Sequence, residues 1–291
     1  MGNIATDVVA QINILKSRGL IIKNEAKAKE TLLDIGYYRL GFYWHYYQID
    51  PKKKVHQFKS GVEFEDIVKL YYFDFDLKYL LSKYLYRIEV HFRTQLVYMA
   101  SNKYNQDNKW YRNKKFVRKS IFYNFDKMYQ RLMVDVPTLK RHHASVTISH
   151  APAWKTFEFL TFGSVFLFYK NLRDVNLKND IAKVYGLTDH KYLENYLEAI
   201  IKIRNICSHN GTLYDYNQPT GIYKMKGMKY AFKNRNATCL NSSFLLILFI
   251  LDKISTGREA DLTVQINDLM ADASKNIKLA EIIKNEIKFA L

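Results

Sequence analysis

The chain is short of residues that break or staple a fold. Glycine (11) and proline (4) together make up about 5% of its 291 residues, against an ordinary share of ~12%. No glycine occurs between Gly61 and Gly163. A β-sandwich needs turn residues every ~8–12 positions, so this scarcity argues against one and for long helices. Only two cysteines are present, Cys207 and Cys239, and neither sits in a CxxC pair. That argues against a disulfide scaffold or a zinc ribbon and suits a reducing cytoplasm. No stretch approaches the ~20 apolar residues of a membrane-spanning helix; the best run, Phe244–Leu251, is eight long. The N-terminus lacks the apolar core of a signal peptide. Met1-Gly2-Asn3-Ile4-Ala5-Thr6 fits a loose myristoylation pattern, but a pattern this short carries little weight. The expectation is a cytoplasmic, all-α chain that does not enter a membrane.

Acidic residues are the other shortage: 28 Asp+Glu face 45 Lys+Arg, a formal +17. The plain alternative is a basic solubility surface, but a surplus of this size marks a polyanion partner through phosphate neutralisation. The surplus is uneven. From Ser101 to Ser145 eleven Lys/Arg, among them Arg112, Lys114, Lys115 and Arg118, face three Asp. Trp110, Tyr111, Phe116, Phe122, Tyr123 and Tyr129 are interleaved with them. From Tyr216 to Leu251 there are five basic residues, Lys224, Lys226, Lys229, Lys233 and Arg235, and no acidic one. Cations among rings suit single-stranded RNA, where charge tracks the backbone and rings stack on bases. His142, His143 and His150 have neither nearby cysteines nor an HxxxH spacing, so they read as surface residues; no metal and no cofactor is expected.

The pattern predicts a single domain over 1–291, with an N-terminal aromatic region (1–60), core helices (64–215) and a helical extension (240–291). Asn24 to Asp34 reads as a helix with Asn24 as N-cap and Gly36 as stop. Tyr37 to Tyr47 is an aromatic stretch, followed by a polar loop at Asp50–Lys54. Phe64 to Ala100 contains neither Gly nor Pro. Its Leu77, Leu80, Leu81, Tyr84, Leu85, Ile88 and Phe92 recur at helical spacing, predicting one long helix or two consecutive ones. The aromatics of this stretch read as core. Pro137 and Pro152 bracket a connection. Further helices are predicted over Ala153–Leu172, Lys191–His209 and Ile277–Leu291, with a short apolar one capped by Ser242 or Ser243.

The residues that carry chemistry are Arg204-Asn205-Ile206-Cys207-Ser208-His209. An Arg and a His four to six residues apart at a helix end form the signature of HEPN ribonucleases. Metal-independent RNA cleavage needs a group titrating near neutrality to move protons at the 2′-OH or the leaving 5′-oxygen. It also needs a fixed cation beside the phosphate. His209 suits the first task and Arg204 the second. With 12 Arg and 8 His, about one such spacing arises by chance. Another such spacing is Arg39/His45, which contains Gly41 and dense aromatics and reads as a structural corner. Five residues turn a helix by about 500°, so Arg204 and His209 do not share a face, whereas Asn205 and His209 do. Asn205 is thus placed to orient the ring. The competing reading is that both cations merely cap a helix C-terminus.

Four segments, in order, resemble the bacterial abortive infection AbiD/AbiF family, a HEPN-type phage-defence group similar to the nuclease domains of type VI CRISPR effectors. They are Asp34–Leu40, Phe64–Ser101 (with Leu70-Tyr-Tyr-Phe-Asp74 and Arg87–Thr94), Ala153–Gly163, and Ile203–His209 with Leu213-Tyr214. The resemblance implies an all-α HEPN bundle in which Arg204, Asn205 and His209 are catalytic. It places Glu89, Arg93 and Glu158 at recurrent polar positions with supporting roles. It implies an abortive infection ribonuclease acting as a homodimer, leaving a 2′,3′-cyclic phosphate. The alternative is a non-catalytic RNA-binding module that holds a cognate noncoding RNA. One departure stands out: the family's usual His-Ser-Arg-Leu-Tyr-Asn is here His209-Asn210-Gly211-Thr212-Leu213-Tyr214-Asp215, without the basic residue. Its absence implies weaker phosphate binding or altered activity.

Overall fold

The structure, a computed structural model, describes residues 4–50, 55–143, 150–209, 211–224 and 237–289. In chain order its helices are α1 (Val8–Ser17), α2 (Glu25–Asp34), α3 (Tyr37–Trp44), α4 (Phe64–Lys103), α5 (Phe122–Asp135), α6 (Pro137–His143), α7 (Ala153–Thr156) and α8 (Phe162–Asn171). They continue as α9 (Val175–Lys183), α10 (His190–Ser208), α11 (Leu240–Ile254), α12 (Thr256–Ser274) and α13 (Ile277–Ile282). Among the described residues the one sheet is an antiparallel hairpin, β1 (Gln48–Asp50) against β2 (Val55–Phe58). The chain is all-α, as its lack of turn residues predicts. No helix among the described residues is long and apolar enough to cross a membrane.

The residues gather into two compact units. The first comprises Met1–Leu80, Ile206–Tyr216 and Gln265–Leu291; the second comprises Leu81–Asn205 and Asn217–Val264. Neither is a contiguous stretch, so no single cut in the 1–291 chain separates them.

In the first unit, local chemistry sets the helix starts. Asp7 accepts from the Ala10 amide at 2.7 Å, and Asn24 accepts from the Lys27 amide at 3.0 Å. After α2 the backbone turns at Gly36 with φ 94°, a conformation that costs an L-residue with a side chain, and α3 begins. The aromatic stretch is therefore helical, closing in a 3₁₀ turn over His45–Tyr47.

Phe64–Lys103 is one uninterrupted helix. Leu77, Leu81, Tyr84, Leu85, Ile88 and Phe92 are all buried, as the periodicity requires. Tyr72, Phe75, Tyr79, Tyr86 and Tyr98 are exposed, so reading this stretch's aromatics as core fails for those five. Tyr72, Phe75, Tyr79 and Tyr86 lie on the helix face opposite the leucine stripe, and Tyr98 lies on its flank.

In the second unit α10 buries Leu193, Tyr196, Leu197, Ile200 and Ile203. The predicted Ala153–Leu172 helix is broken. Leu160 is extended (ψ 147°), and Thr161 starts α8 by accepting from the Ser164 amide at 3.3 Å. The break leaves the Leu160 carbonyl open to accept from the buried Arg93 guanidinium at 3.1 Å. Ser242 and Ser243 do not cap α11, which starts after Cys239. Both serines are buried within it, where Gln218 donates to the Ser243 hydroxyl and the Ala199 carbonyl, each at 3.1 Å. The final helix is shorter than predicted, α13 passing into a π turn over Ile283–Ile287.

Three histidines of this unit are held below their ordinary value by burial first, and then by Arg87, Arg112 and Lys178 beside His91, His150 and His190 respectively. Each ring binds its proton more weakly folded than unfolded. Their contribution to stability is therefore complete above pH ~6.5 and is lost as the pH falls toward the folded values. Thermal melts are expected to show a falling melting temperature from pH 7.5 to 5.5. The fall should flatten when the three are replaced by glutamine, and an unchanged slope in that variant would contradict the assignment.

Candidate functional site

At the end of α10, Arg204 and Asn205 belong to the second unit and His209 to the first. In the second unit the Arg204 Nε donates to Glu89 Oε2 at 3.1 Å. Arg93 Nη2 donates to Glu89 Oε1 at 2.8 Å. One buried carboxylate thus holds two guanidiniums, and the cluster keeps a net positive charge. Glu89 and Arg93 share a face of α4 at i, i+4, yet they are more than a helix ion pair, because Glu89's second oxygen holds Arg204. The buried Arg93 Nε has no partner among the described residues. Asn205 is exposed. Glu158 is exposed in the 3₁₀ turn Phe157–Phe159 and has no hydrogen-bond or ion-pair partner among the described residues.

In the first unit, α10 ends at Ser208, and His209 follows with its amide on the Ile206 carbonyl at 3.3 Å. Its imidazole is exposed and engages no described residue. The chain just beyond it is pinned by a group that sequence reasoning missed. Asp74, fully buried, accepts from the Leu213 amide at 2.8 Å, the Tyr214 amide at 2.7 Å and the Tyr43 hydroxyl at 2.9 Å. Lys78 pairs with it at 2.9 Å and donates to the Gly211 carbonyl at 3.2 Å. These bonds tie the Leu70-Tyr-Tyr-Phe-Asp74 segment to Leu213-Tyr214. The missed signal was an acid and a base at i, i+4 on the buried side of an apolar helix. Gly211 lies against Ile206, whose Cγ2 would sit 3.3 Å from an added Cβ. Thr212 donates to Asp215 at 2.9 Å, so the substituted segment has its own local order. Asn210 lies outside the described residues.

The basic stretches divide. Lys114, Lys115 and Arg118 are exposed, as is Lys224. Lys226, Lys229, Lys233 and Arg235 lie outside the described residues. Arg112 is committed inward, donating to Asp126 at 2.8 Å with its guanidinium 4.4 Å from the Phe122 ring. Trp110, Tyr111 and Tyr129 are buried, and Phe116 stacks on Tyr104 at 3.9 Å. Of the six interleaved rings, Tyr123 is the one exposed. His150 is not a surface residue. Its Nε2 lies 3.0 Å from Asp126, and its ring stacks on Phe125 and tilts against Tyr129. The side chains of His142 and His143 lie outside the description.

Lys78→Met removes one member of a buried pair and strands the Asp74 carboxylate, which costs about 3–5 kcal/mol. Lys114→Met at an exposed site is expected to stay within about 0.5 kcal/mol. Denaturant unfolding of the two variants checks the contrast, and similar midpoints would contradict it.

No curated protein and no solved structure matches the chain. A family model described as Abi-like protein matches residues 30–215. The match runs from α2 through Glu89, Arg93 and the Arg204–His209 helix end to the segment that Asp74 anchors. It covers well over half of the sequence, and the chain therefore belongs to the Abi-like protein family, a membership that supports an abortive-infection role in phage defence.

Proposed function

We propose that the protein is an abortive infection effector of the AbiD/AbiF kind, working as a metal-independent HEPN-type endoribonuclease. The observation that carries this is the Glu89 bridge to Arg204. A cation that merely capped a helix C-terminus would turn toward the last carbonyls of its own helix. Arg204 is instead held by a buried carboxylate on α4 while remaining partly exposed, which suits a fixed cation awaiting a phosphate. The imidazole five residues on is exposed and unengaged by the described residues, so its ring is accessible for proton transfer.

In the proposed reaction the RNA 2′-oxygen attacks the adjacent phosphorus as His209 takes its proton. The guanidinium of Arg204 balances charge on the non-bridging oxygens. The bond from phosphorus to the 5′-oxygen breaks, that oxygen takes up a proton, and the products are a 2′,3′-cyclic phosphate and a free 5′-hydroxyl. With one such pair per chain, a second copy is the proposed partner for a two-pair site. The exposed Lys114, Lys115 and Arg118 and the +17 charge support a polyanionic substrate. The same charges favour a second reading, in which the protein holds a cognate noncoding RNA without turnover.

Single-stranded RNA incubated with the protein in EDTA separates the two. Wild type is expected to leave cyclic-phosphate ends, and His209→Ala to lower the rate by about 10²–10⁴ while retaining RNA affinity. Glu89→Gln, which loosens Arg204, should slow cleavage without changing the products. Binding without cleavage by wild type, or cleavage that requires Mg²⁺, would overturn the nuclease proposal.

A further inference from the structure

In the second unit two stretches of irregular chain are stitched together beneath a group of cations. The Arg118 amide donates to the Asn171 carbonyl at 3.0 Å, and the Arg173 amide to the Phe116 carbonyl at 2.8 Å. Between these bonds Val117 and Leu172 pair in an isolated antiparallel bridge, and both are buried. The turn before the bridge is equally fixed. The Asn113 side chain donates to Asp107 at 2.8 Å and accepts from the Lys115 amide at 2.9 Å. The Asn113 carbonyl accepts from the Phe116 and Val117 amides, each at 3.0 Å. Phe116 is held by its stack on Tyr104. These anchors set the backbone of Lys114, Lys115, Arg118 and Arg173, and all four residues are exposed.

Arg173 supplies more than a charge. Its Nε donates to the Lys114 carbonyl at 2.9 Å, which anchors one edge of the guanidinium. A guanidinium has five N–H donors, so the four on its terminal nitrogens remain, and no described residue takes them. A fork held at its base has little rotamer freedom left to lose on meeting an anion. The acids tied to these stretches are engaged. Asp107 accepts from Asn113 and the Lys109 amide, and Asp126 binds Arg112 and His150. Asp174 pairs with Lys103 at 2.6 Å and caps α9. Lys114, Lys115, Arg118 and Arg173 have no carboxylate partner among the described residues, so their charge is left to an anion from outside the chain.

We propose that this face holds the phosphodiester backbone of a single-stranded RNA, with Arg173 as a fixed clamp on one phosphate and Lys114, Lys115 and Arg118 as charges on its neighbours. This rests on the reading of RNA as the partner, and it applies whether the strand is cut or merely held. The two non-bridging oxygens of a phosphate match a guanidinium fork, whereas an ammonium meets them as a point charge. Contacts of this kind do not read bases, so the face accepts any sequence and fixes the path of the strand. Arg112 takes no part, because its guanidinium is held against Asp126 and the Phe122 ring. Arg173 lies 59 residues from Lys114 and joins the basic stretch only through the fold.

Fluorescence anisotropy tests this on the full-length protein carrying His209→Ala, in EDTA, so that no strand is cut. The probes are a short unstructured labelled RNA and a DNA of the same sequence, each titrated over a range of salt. Arg173→Gln is expected to weaken binding of both by about tenfold. It should also reduce the slope of log affinity against log salt by about 0.7, the share of one phosphate contact on a single strand. Adding Lys114→Gln, Lys115→Gln and Arg118→Gln should lower the slope by about 0.7 for each residue replaced. Arg173→Lys keeps the charge and loses the fork, so it should restore the slope while leaving affinity below that of the parent. A variant of equal charge, with the exposed Lys27, Lys29, Lys69 and Lys284 replaced by glutamine, should keep the slope. A similar fall in that variant reduces the effect to net charge and overturns the proposal. An unchanged slope in the fourfold variant, shown folded by its melting temperature, overturns this site and leaves RNA as the partner. A loss confined to the RNA probe overturns the phosphate assignment, since the 2′-hydroxyl is then the group recognised. Failure of the parent and of wild type to bind either strand rejects RNA as the partner, and this site with it.

Discussion

A carboxylate removed from water must receive from the protein every hydrogen bond that water would have supplied. Asp74 has no solvent access and meets that demand with two backbone amides, a tyrosine hydroxyl and a lysine ammonium. Because two of these donors are the amides of Leu213 and Tyr214, the requirement fixes a stretch of irregular chain to the middle of a helix more than a hundred residues earlier in sequence. Lys78 extends the hold to Gly211 and leaves the residues around His209 little freedom to drift from the first unit. The Tyr43 ring, kept neutral by its burial and by the adjacent carboxylate, brings α3 into the same arrangement.

A related device operates in the second unit. Glu89 and Arg93 again stand at i, i+4 on α4, and again the acid has an oxygen to spare for a group from another helix, here Arg204. The two buried acid–base pairs on α4 thus serve the two ends of one motif. Asp74 and Lys78 order the chain after the histidine, and Glu89 and Arg93 hold the arginine. Such pairs are a poor way to gain stability, since apolar residues of like volume often do as well. Their place beside the Arg204–His209 stretch makes more sense as a means of fixing side chains and backbone.

The parts of the fold legible from sequence are those where one rule acts alone. The leucine stripe of α4, the Asn24 cap of α2 and the apolar face of α10 each follow from periodicity or a single side-chain bond. What was not legible depends on partners distant in sequence. The interruption at Leu160–Thr161 breaks a good apolar pattern and exposes a carbonyl that only Arg93 explains. Ser242 and Ser243 have cap chemistry but are buried, one of them bonded to Gln218. The rings at Trp110, Tyr111 and Tyr129 lie among lysines in the sequence and in the core in space. At the site, the residue types of Arg204 and His209 were readable, but their neighbours were not. Glu89 lies 115 residues from Arg204.

The shared carboxylate of Glu89 has a further consequence. A guanidinium does not lose its proton at any pH a folded protein survives. One acid between two arginines therefore leaves a unit of positive charge that acidity cannot switch off. Counterions from solution remain free to compete for Arg204, the partly exposed member. The cluster should thus sense ionic strength, while the buried imidazoles of His91, His150 and His190 sense pH, so that salt and acidity act on separate components of the protein.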